Sequence, residues 1–538
     1  MCIFRWSRGS NVSVPIGEAV PLLGDYLCAS AQRLPDKIGL VCGSRKVTYT
    51  EIMVAARKLA WALRRRGVAR GDRVLVLGQN SVEAVVAFWG ILEASAVAVI
   101  VNPSTKRERV SWLLNDCRPS AVIGDVRHVA ALASPGSWTT LPVVFVLGGC
   151  DGGGLGGGAG VVAFDAAILS ERSDCPPPRE CIDIDLAALI YTSGSTGEPK
   201  GVMLTHRNML SAAASICQYR ELREDDVILN ALPLAFDYGL YQMLMSVRQG
   251  ARLVLEPSFQ LPVQVLSRAA VERVTIFPGV PTIFAVLAQI EGASEFLTAV
   301  RLITSTGSAL PVNMIDKLRG IFPNGRIFSM YGLTECKRCS YLPPEDLERK
   351  PGSVGIAIPN TELWLVDENN CRVRPGQVGQ LVVRGATVMR GYWEKPGETA
   401  KVLRPGQLPG EQVLYTGDYC RLDEESYLYF VGRMDDVIKS RGEKVAPTEV
   451  EAALCAVAGV KDVVVVGVPD SMLGEAIEAF VVLEEGAAVT ENDLRRECFK
   501  RLESFMVPSS IKFRSFLPRS NSGKLNRADL IKTNGYSE

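Results

Sequence analysis

Apolar residues recur at helical spacing through Ile52, Ala55, Ala56, Leu59 and Leu63, after Thr50 and before Gly67. This spacing predicts a helix capped by Thr50 and ended by Gly67. Short apolar runs at 73–77, 121–124 and 143–147 predict strands. The stretch 84–101, interrupted only by Glu93, has the composition of a membrane span but divides into two elements. A helix follows the Asn80-Ser81 cap, and a β-branched strand at 97–101 stops before Pro103, so no span is expected. Strand and helix patterns resume with strands at 187–192, 252–256, 274–277 and 302–305. Such alternation predicts an α/β fold with parallel sheets covered by helices. The glycine-rich run 148–160 has nothing to pack and reads as a surface linker.

The texture changes between residues 351 and 431, where short strands at 363–366 and 381–384 are separated by Pro-Gly and glycine-rich turns. A small antiparallel unit or barrel is expected there. Beyond Gly432 the pattern becomes α+β, with helices at 449–457 and 491–503 and strands at 462–468 and 476–483. The boundary is placed at 432–436.

Composition changes this picture only by exclusion. A chain of 538 residues exceeds one compact core. Its 59 basic and 59 acidic side chains balance, so no overall field draws it to nucleic acid or anionic lipid. The 14 cysteines are scattered, and only Cys336 and Cys339 have C-x-x-C spacing, without a second pair to complete a zinc site. The only histidines are His128 and His206. The N-terminus lacks an apolar signal region, and reduced thiols in a cytoplasmic protein are expected.

Candidate chemistry begins at Tyr191-Thr192-Ser193-Gly194-Ser195-Thr196-Gly197-Glu198-Pro199-Lys200-Gly201, following an apolar strand. Glycines let backbone N–H groups turn inward, hydroxyls add donors and Lys200 adds a positive charge, a combination suited to a polyphosphate between strand and helix. The spacing is not that of the Walker loop. This run resembles the phosphate-loop signature of the adenylate-forming superfamily, which includes acyl-CoA synthetases, peptide-synthetase adenylation domains and beetle luciferases. Four further runs follow in that family's order: Tyr331-Gly332-Leu333-Thr334-Glu335, Tyr415-Thr416-Gly417-Asp418, the stretch 432–442, and the stretch 518–524 ending in Lys524.

The resemblance implies a large N-terminal AMP-binding domain, 1–432, made of two αβα-layered subdomains and a small β-barrel. A small mobile α+β domain, 433–538, would follow. It implies ATP as substrate, with Mg²⁺ held by Glu335, the α-phosphate contacted by Thr334 and adenine packed on Tyr331 with Gly332 beside it. Asp418 would accept hydrogen bonds from the ribose hydroxyls, and Arg433 would contact the nucleotide. The segment Gly307, Ser308 and Ala309 would line the adenine and acyl pockets. Lys524 would bridge the attacking carboxylate and the α-phosphate. Asp435 takes the hinge position, about which the small domain swings to bring Lys439 to the acceptor tunnel.

Substrate is less legible. The run 232–239, with Phe236, Asp237 and Tyr238, aligns with one wall of the acyl pocket, where Asp237 either meets a substrate ammonium or is held structurally. The Phe-His pair of many fatty acyl-CoA synthetases is replaced here by Ala235-Phe236. Tyr238, Tyr241 and Met243 read more simply as core. Lys337 and Arg338 lie near a phosphate-bearing acceptor or, more simply, are solvated charges. The chain is expected to convert a carboxylic acid to an acyl-adenylate and transfer it to a thiol. Residues 525–538 leave no room for a fused carrier, so the acceptor is coenzyme A or a separate phosphopantetheinyl carrier protein. A nucleotide-binding regulator without catalysis is the reading of another class; the presence of Lys200, Glu335, Asp418 and Lys524 argues against it. A luciferase-like oxygenase would carry the same motifs.

Overall fold

The structure is a computed structural model describing residues 21–125, 127–129, 143–147, 161–169, 171–193, 199–307, 310, 312–434, 436, 438–440, 443–470, 474–518, 527 and 530. The linker at 148–160 lies outside them. Packing divides the chain into two compact units, Met1–Cys217 with Glu221–Ser258, and Gln218–Arg220 with Phe259–Glu538.

In the first unit, the strands Leu186–Ser193, Val97–Val101, Arg73–Leu77, Ala121–Asp125, Val144–Leu147 and Val161–Ala163 lie in that order in one sheet. The pairs among them are parallel, as the strand–helix alternation predicts. Pro199–Thr205 pairs antiparallel with Leu186–Ser193. A second set places Val227–Asn230, Arg252–Leu255 and Ile38–Cys42 in parallel, with Arg45–Thr48 antiparallel beside Ile38–Cys42.

The helix Tyr49–Arg65 begins two residues before the position that apolar spacing indicates. Its cap is Thr48, not Thr50: the Thr48 hydroxyl accepts from Glu51 N–H, and the Glu51 carboxylate accepts from Thr48 N–H at 2.8 Å. That reciprocal pair satisfies two backbone donors that Thr50 would have left open. Gly67 follows the helix at φ +86°, as expected of its stop. Ser81 caps the helix Val82–Glu93 by accepting from Ala84 N–H at 3.1 Å. This helix is buried along nearly its whole length and precedes the strand Val97–Val101. No helix among the described residues is long and apolar enough to cross a membrane.

The second unit carries the parallel strands Ile276–Gly279, Leu302–Ser305 and Arg326–Tyr331, continued antiparallel by Ser340–Leu342 and Ile356–Ala357. Thr361–Val366, Val378–Gly385, Leu403–Pro405, Gln412–Leu422 and Leu428–Arg433 form a separate antiparallel sheet. The α+β tail packs the helices Pro447–Cys455 and Glu491–Arg501 on a sheet centred on Val460–Asp470 and Gly474–Leu483. Val463 and Val465 bury one face of that sheet, and Val464 and Val466 bury the other. The unbroken run of valines follows from this two-sided burial.

His206, buried in the first unit, accepts the Leu23 N–H at Nδ1 (3.3 Å). Burial pushes its imidazole from 6.5 down to about 4. Because the folded value lies below the unfolded one, the stabilisation is complete above pH 6.5 and is lost as pH falls toward 4. His206→Gln is expected to remove a pH-dependent contribution of about 3 kcal/mol. Urea unfolding of both proteins between pH 7 and pH 4 checks this, and parallel curves would contradict it.

Candidate active site

The antiparallel pairing of Leu186–Ser193 with Pro199–Thr205 corrects the strand-to-helix reading of the phosphate loop. The two strands pair antiparallel, and Lys200 lies on the returning strand, in register with Thr192. A β-period places Lys200 and Thr192 at the base of the loop, where cross-strand pairing fixes their backbones. Ser193 is in register with Pro199; Gly194, Ser195, Thr196 and Gly197 lie outside the described residues. The hairpin is anchored by Tyr191, whose hydroxyl donates to Asp116 Oδ2 at 2.5 Å and whose ring meets Trp112 edge-on at 6.1 Å.

In the second unit a buried carboxylate organises the strand ends. Asp418 on Gln412–Leu422 is 1% exposed. It accepts from the Tyr331 hydroxyl through Oδ2 and meets Arg433 Nε 3.1 Å from Oδ1. Antiparallel register places Arg433 directly across from Asp418. Burial, then the Asp418 charge, raises the Tyr331 phenol well above its ordinary range, so it stays a donor. The Tyr331 ring lies 5.9 Å from that of Phe430.

Tyr331 ends its strand, and the next turn closes tightly. A Cβ on Gly332 would stand 2.4 Å from the Lys337 carbonyl oxygen, so only glycine fits there. Thr334 and Glu335 follow, half-buried. Glu335 accepts from the Tyr392 hydroxyl at Oε1 (2.9 Å), and its carbonyl accepts from Met389 N–H at 2.7 Å. Burial, then the Glu335 charge, raises the Tyr392 phenol. A single half-exposed carboxylate with one oxygen already hydrogen-bonded fits a Mg²⁺ ion that takes most of its ligands from phosphate and water. Among the described residues, no three His, Cys, Asp or Glu side chains group as a metal site.

Lys337 and Arg338 are not solvated. Both are 2% exposed, because the turn folds inward with Cys336 and Cys339, whose sulfurs approach to 3.0 Å. Gly307 follows the strand Leu302–Ser305 at φ +94°, while Ser308 and Ala309 lie outside the described residues.

The run 232–239 lies in the first unit. Phe236 is the N-cap of the helix Asp237–Gln249, and Asp237 is its first residue, half-exposed. There a carboxylate is stabilised by free helix N–H groups and the positive end of the helix dipole. Tyr238, Tyr241 and Met243 are buried core.

Asp435 and Lys524 lie outside the described residues, and only the backbone of Lys439 is described, on the strand Ile438–Ser440. Sequence reasoning missed Tyr392, Asp116 and Arg527. Arg527 pairs with Glu451 at 2.6 Å and lies 3.6 Å from Asp436. Its place three residues after Lys524 was visible, but its partners are distant in sequence.

The parallel sheets, the paired strands that carry Thr192 and Lys200, and the buried Asp418 carboxylate place charged and hydroxyl groups suited to a phosphorylated ligand. The chain matches the AMP-binding enzyme family over residues 27–393 and the AMP-binding enzyme C-terminal domain over residues 449–524, and it belongs to this adenylate-forming family. It is 31% identical to a long-chain-fatty-acid–CoA ligase of Bacillus subtilis, covering 95% of this chain and 94% of that one. ATP-bound MatB from Rhodopseudomonas palustris superposes with a TM-score of 0.84 at 28% identity, covering 95% of this chain and 98% of that one. The anthranilate CoA ligase AuaEII, solved with anthranoyl-AMP, gives 0.85 at 27% identity, covering 95% and 97%.

Tyr331→Phe removes the phenolic donor and leaves the buried Asp418 short of a partner. The expected cost is about 1.5–3 kcal/mol. A thermal unfolding midpoint equal to that of the parent protein would contradict this assignment.

Proposed function

We propose that this AMP-forming acid–thiol ligase converts a carboxylic acid and ATP to an acyl-adenylate and pyrophosphate, then passes the acyl group to coenzyme A. The observation that carries the reading is the Asp418 carboxylate, buried between Tyr331 and Arg433 in a chain of the AMP-binding family. A carboxylate at this place accepts two hydrogen bonds from a ribose diol, with Arg433 offsetting its desolvation.

The first step needs no general base, since a carboxylic acid of pKa about 4–5 is ionised at neutral pH. Its oxygen attacks the α-phosphorus, the bond to the pyrophosphate oxygen breaks, and pyrophosphate leaves with the electron pair. Thr334 positions the α-phosphate, and Lys200 with the loop from Thr192 to Gly197 receives the phosphate chain. Lys524 offsets the charge that builds on the pentacoordinate phosphorus. Glu335 would hold Mg²⁺, which when bound supplies charge neutralisation for the phosphates. In the second step the coenzyme A thiolate attacks the acyl carbon and AMP leaves.

The same small domain serves both steps. We place its boundary after residue 432, with Asp435 as hinge, so that residues 433–538 bring either Lys524 or Lys439 to the nucleotide domain. The pairing of Arg527 with Glu451 supports movement of the lysine loop and the small-domain core as one piece. Gly307, Ser308 and Ala309 would line the adenine and acyl pockets. Cysteines without disulfides among the described residues agree with a cytoplasmic placement.

Phe236, Asp237 and Tyr238 form the acyl-wall segment of this reading. The first-turn position of Asp237 supports an acid that needs no ammonium group. An amino-aryl acid is the second reading, favoured by the likeness to the anthranilate ligase. Transfer to a separate carrier protein is the alternative to coenzyme A.

Acid-dependent pyrophosphate release across fatty, aryl and amino-aryl acids tests the assignment. Silence across the panel, with ATP still bound, would transfer weight to the non-catalytic regulator. Lys524→Ala is expected to slow pyrophosphate release by about 10²–10³-fold while ATP binding persists. Release at the parent rate would sink the role of Lys524. Lys439→Ala should spare this half-reaction and slow thioester formation from preformed acyl-adenylate. Equal losses in both would contradict the hinge.

A further inference from the structure

The turn before the acyl-wall helix is held by buried amides. Asn80, 7% exposed, donates through Nδ2 to the carbonyls of Leu232 and Glu256, each at 2.9 Å. Its Oδ1 accepts from Leu234 N–H at 2.9 Å. One side chain thus joins the start of the helix Val82–Glu93, the end of the strand Arg252–Leu255, and both sides of Pro233. Asn230, fully buried, donates to the Gly239 carbonyl at 3.1 Å and accepts from Leu232 N–H at 3.2 Å. The turn closes so tightly that a Cβ on Gly239 would lie 2.3 Å from the Pro233 carbonyl oxygen. These contacts supply the turn's backbone with hydrogen-bond partners that a ladder would otherwise provide.

The geometry points to Asn80 as a positioning residue for acid selectivity: its amide, assisted by Asn230, sets the place of Phe236 and Asp237 through the turn that carries them. This rests on the reading of 236–238 as an acyl-pocket wall. The amide is chemically specific, because its two donors face carbonyls and its oxygen faces an N–H. No hydroxyl or aliphatic side chain satisfies all three partners. Pro233 lacks an N–H and fixes its own φ, so the turn's angle depends on the bonds flanking it. The cavity behind the turn is lined by Phe88, Ile100, Ile190, Leu240 and the turn's own Leu234 and Ala235. A displacement of the wall changes how closely the bound acid approaches the α-phosphate, and errors of that size are costly.

The test compares Asn80→Ala, Asn80→Ser and Phe236→Ala with the parent protein in acid-dependent pyrophosphate release. Each is run with a slim fatty acid and a broad aryl acid, and thermal midpoints are recorded alongside. For the Asn80 variants the KM for the acid is expected to rise about tenfold. The ratio of kcat/KM between the two acids is expected to change at least threefold, while the KM for ATP stays within twofold. A purely structural role would lower the thermal midpoint and leave that ratio unchanged, and this outcome overturns the inference. Asn80→Ser keeps one hydrogen-bonding group and decides the matter on the same ratio if Asn80→Ala does not fold. If Phe236→Ala alters the ratio and neither Asn80 variant does, the wall stands and the role of Asn80 falls. If none of the three alters it, the wall reading falls and takes the inference with it.

Discussion

A carboxylate taken out of water must be matched by donors or it protonates, and Asp418 imposes that constraint on its surroundings. Its oxygens are met by Tyr331 from the end of a parallel strand and by Arg433 from the neighbouring antiparallel strand. The β-strand ends that bear Tyr331, Asp418 and Arg433 are therefore tied by charge as well as by packing. Tyr331 leads through the constrained Gly332 turn to Glu335, and Arg433 leads into the hinge segment. One buried charge thus links the proposed ribose, metal and hinge positions.

The sequence motifs located these residues but not their partners. Thr-Gly-Asp marks Asp418 because the run itself is the signal. Tyr392 beside Glu335 and Asp116 beside Tyr191 carry no mark, since each contact joins residues far apart in the chain. Periodicity recovered the strands because burial on both faces leaves uninterrupted apolar runs. It misplaced the cap of Tyr49–Arg65 because apolar spacing reports the buried face, whereas a cap is chosen by hydrogen bonding at Thr48 and Glu51.

Two errors share another cause. A linear reading carries Lys200 from a loop into a helix and leaves Lys337 and Arg338 in solvent. Neither a motif nor residue type reports the backbone path. The hairpin returns Lys200 on a strand beside Thr192, and the turn after Glu335 folds Lys337 and Arg338 inward between two buried thiols. A buried cation demands more of its surroundings than an exposed one. The Cys336–Cys339 segment is therefore a structural feature of the turn that carries Glu335.

Selectivity resides where such indirect support matters most. In the proposed reading the loop after Thr192 and Asp418 meet groups common to every ATP molecule, so short local motifs suffice to specify them. The acyl wall must be placed against a variable substrate, and its position depends on backbone angles that no motif records. Asp237 illustrates the difference: in a linear reading it competes as a partner for an ammonium group, yet at the first turn of a helix its charge is already stabilised by backbone dipoles. On the proposed reading, one acid is distinguished from another by how this wall is placed against it. Buried amides such as Asn80 and Asn230 are suited to set that placement, because they bind backbone atoms directly and leave the proposed wall's side chains to meet the acid.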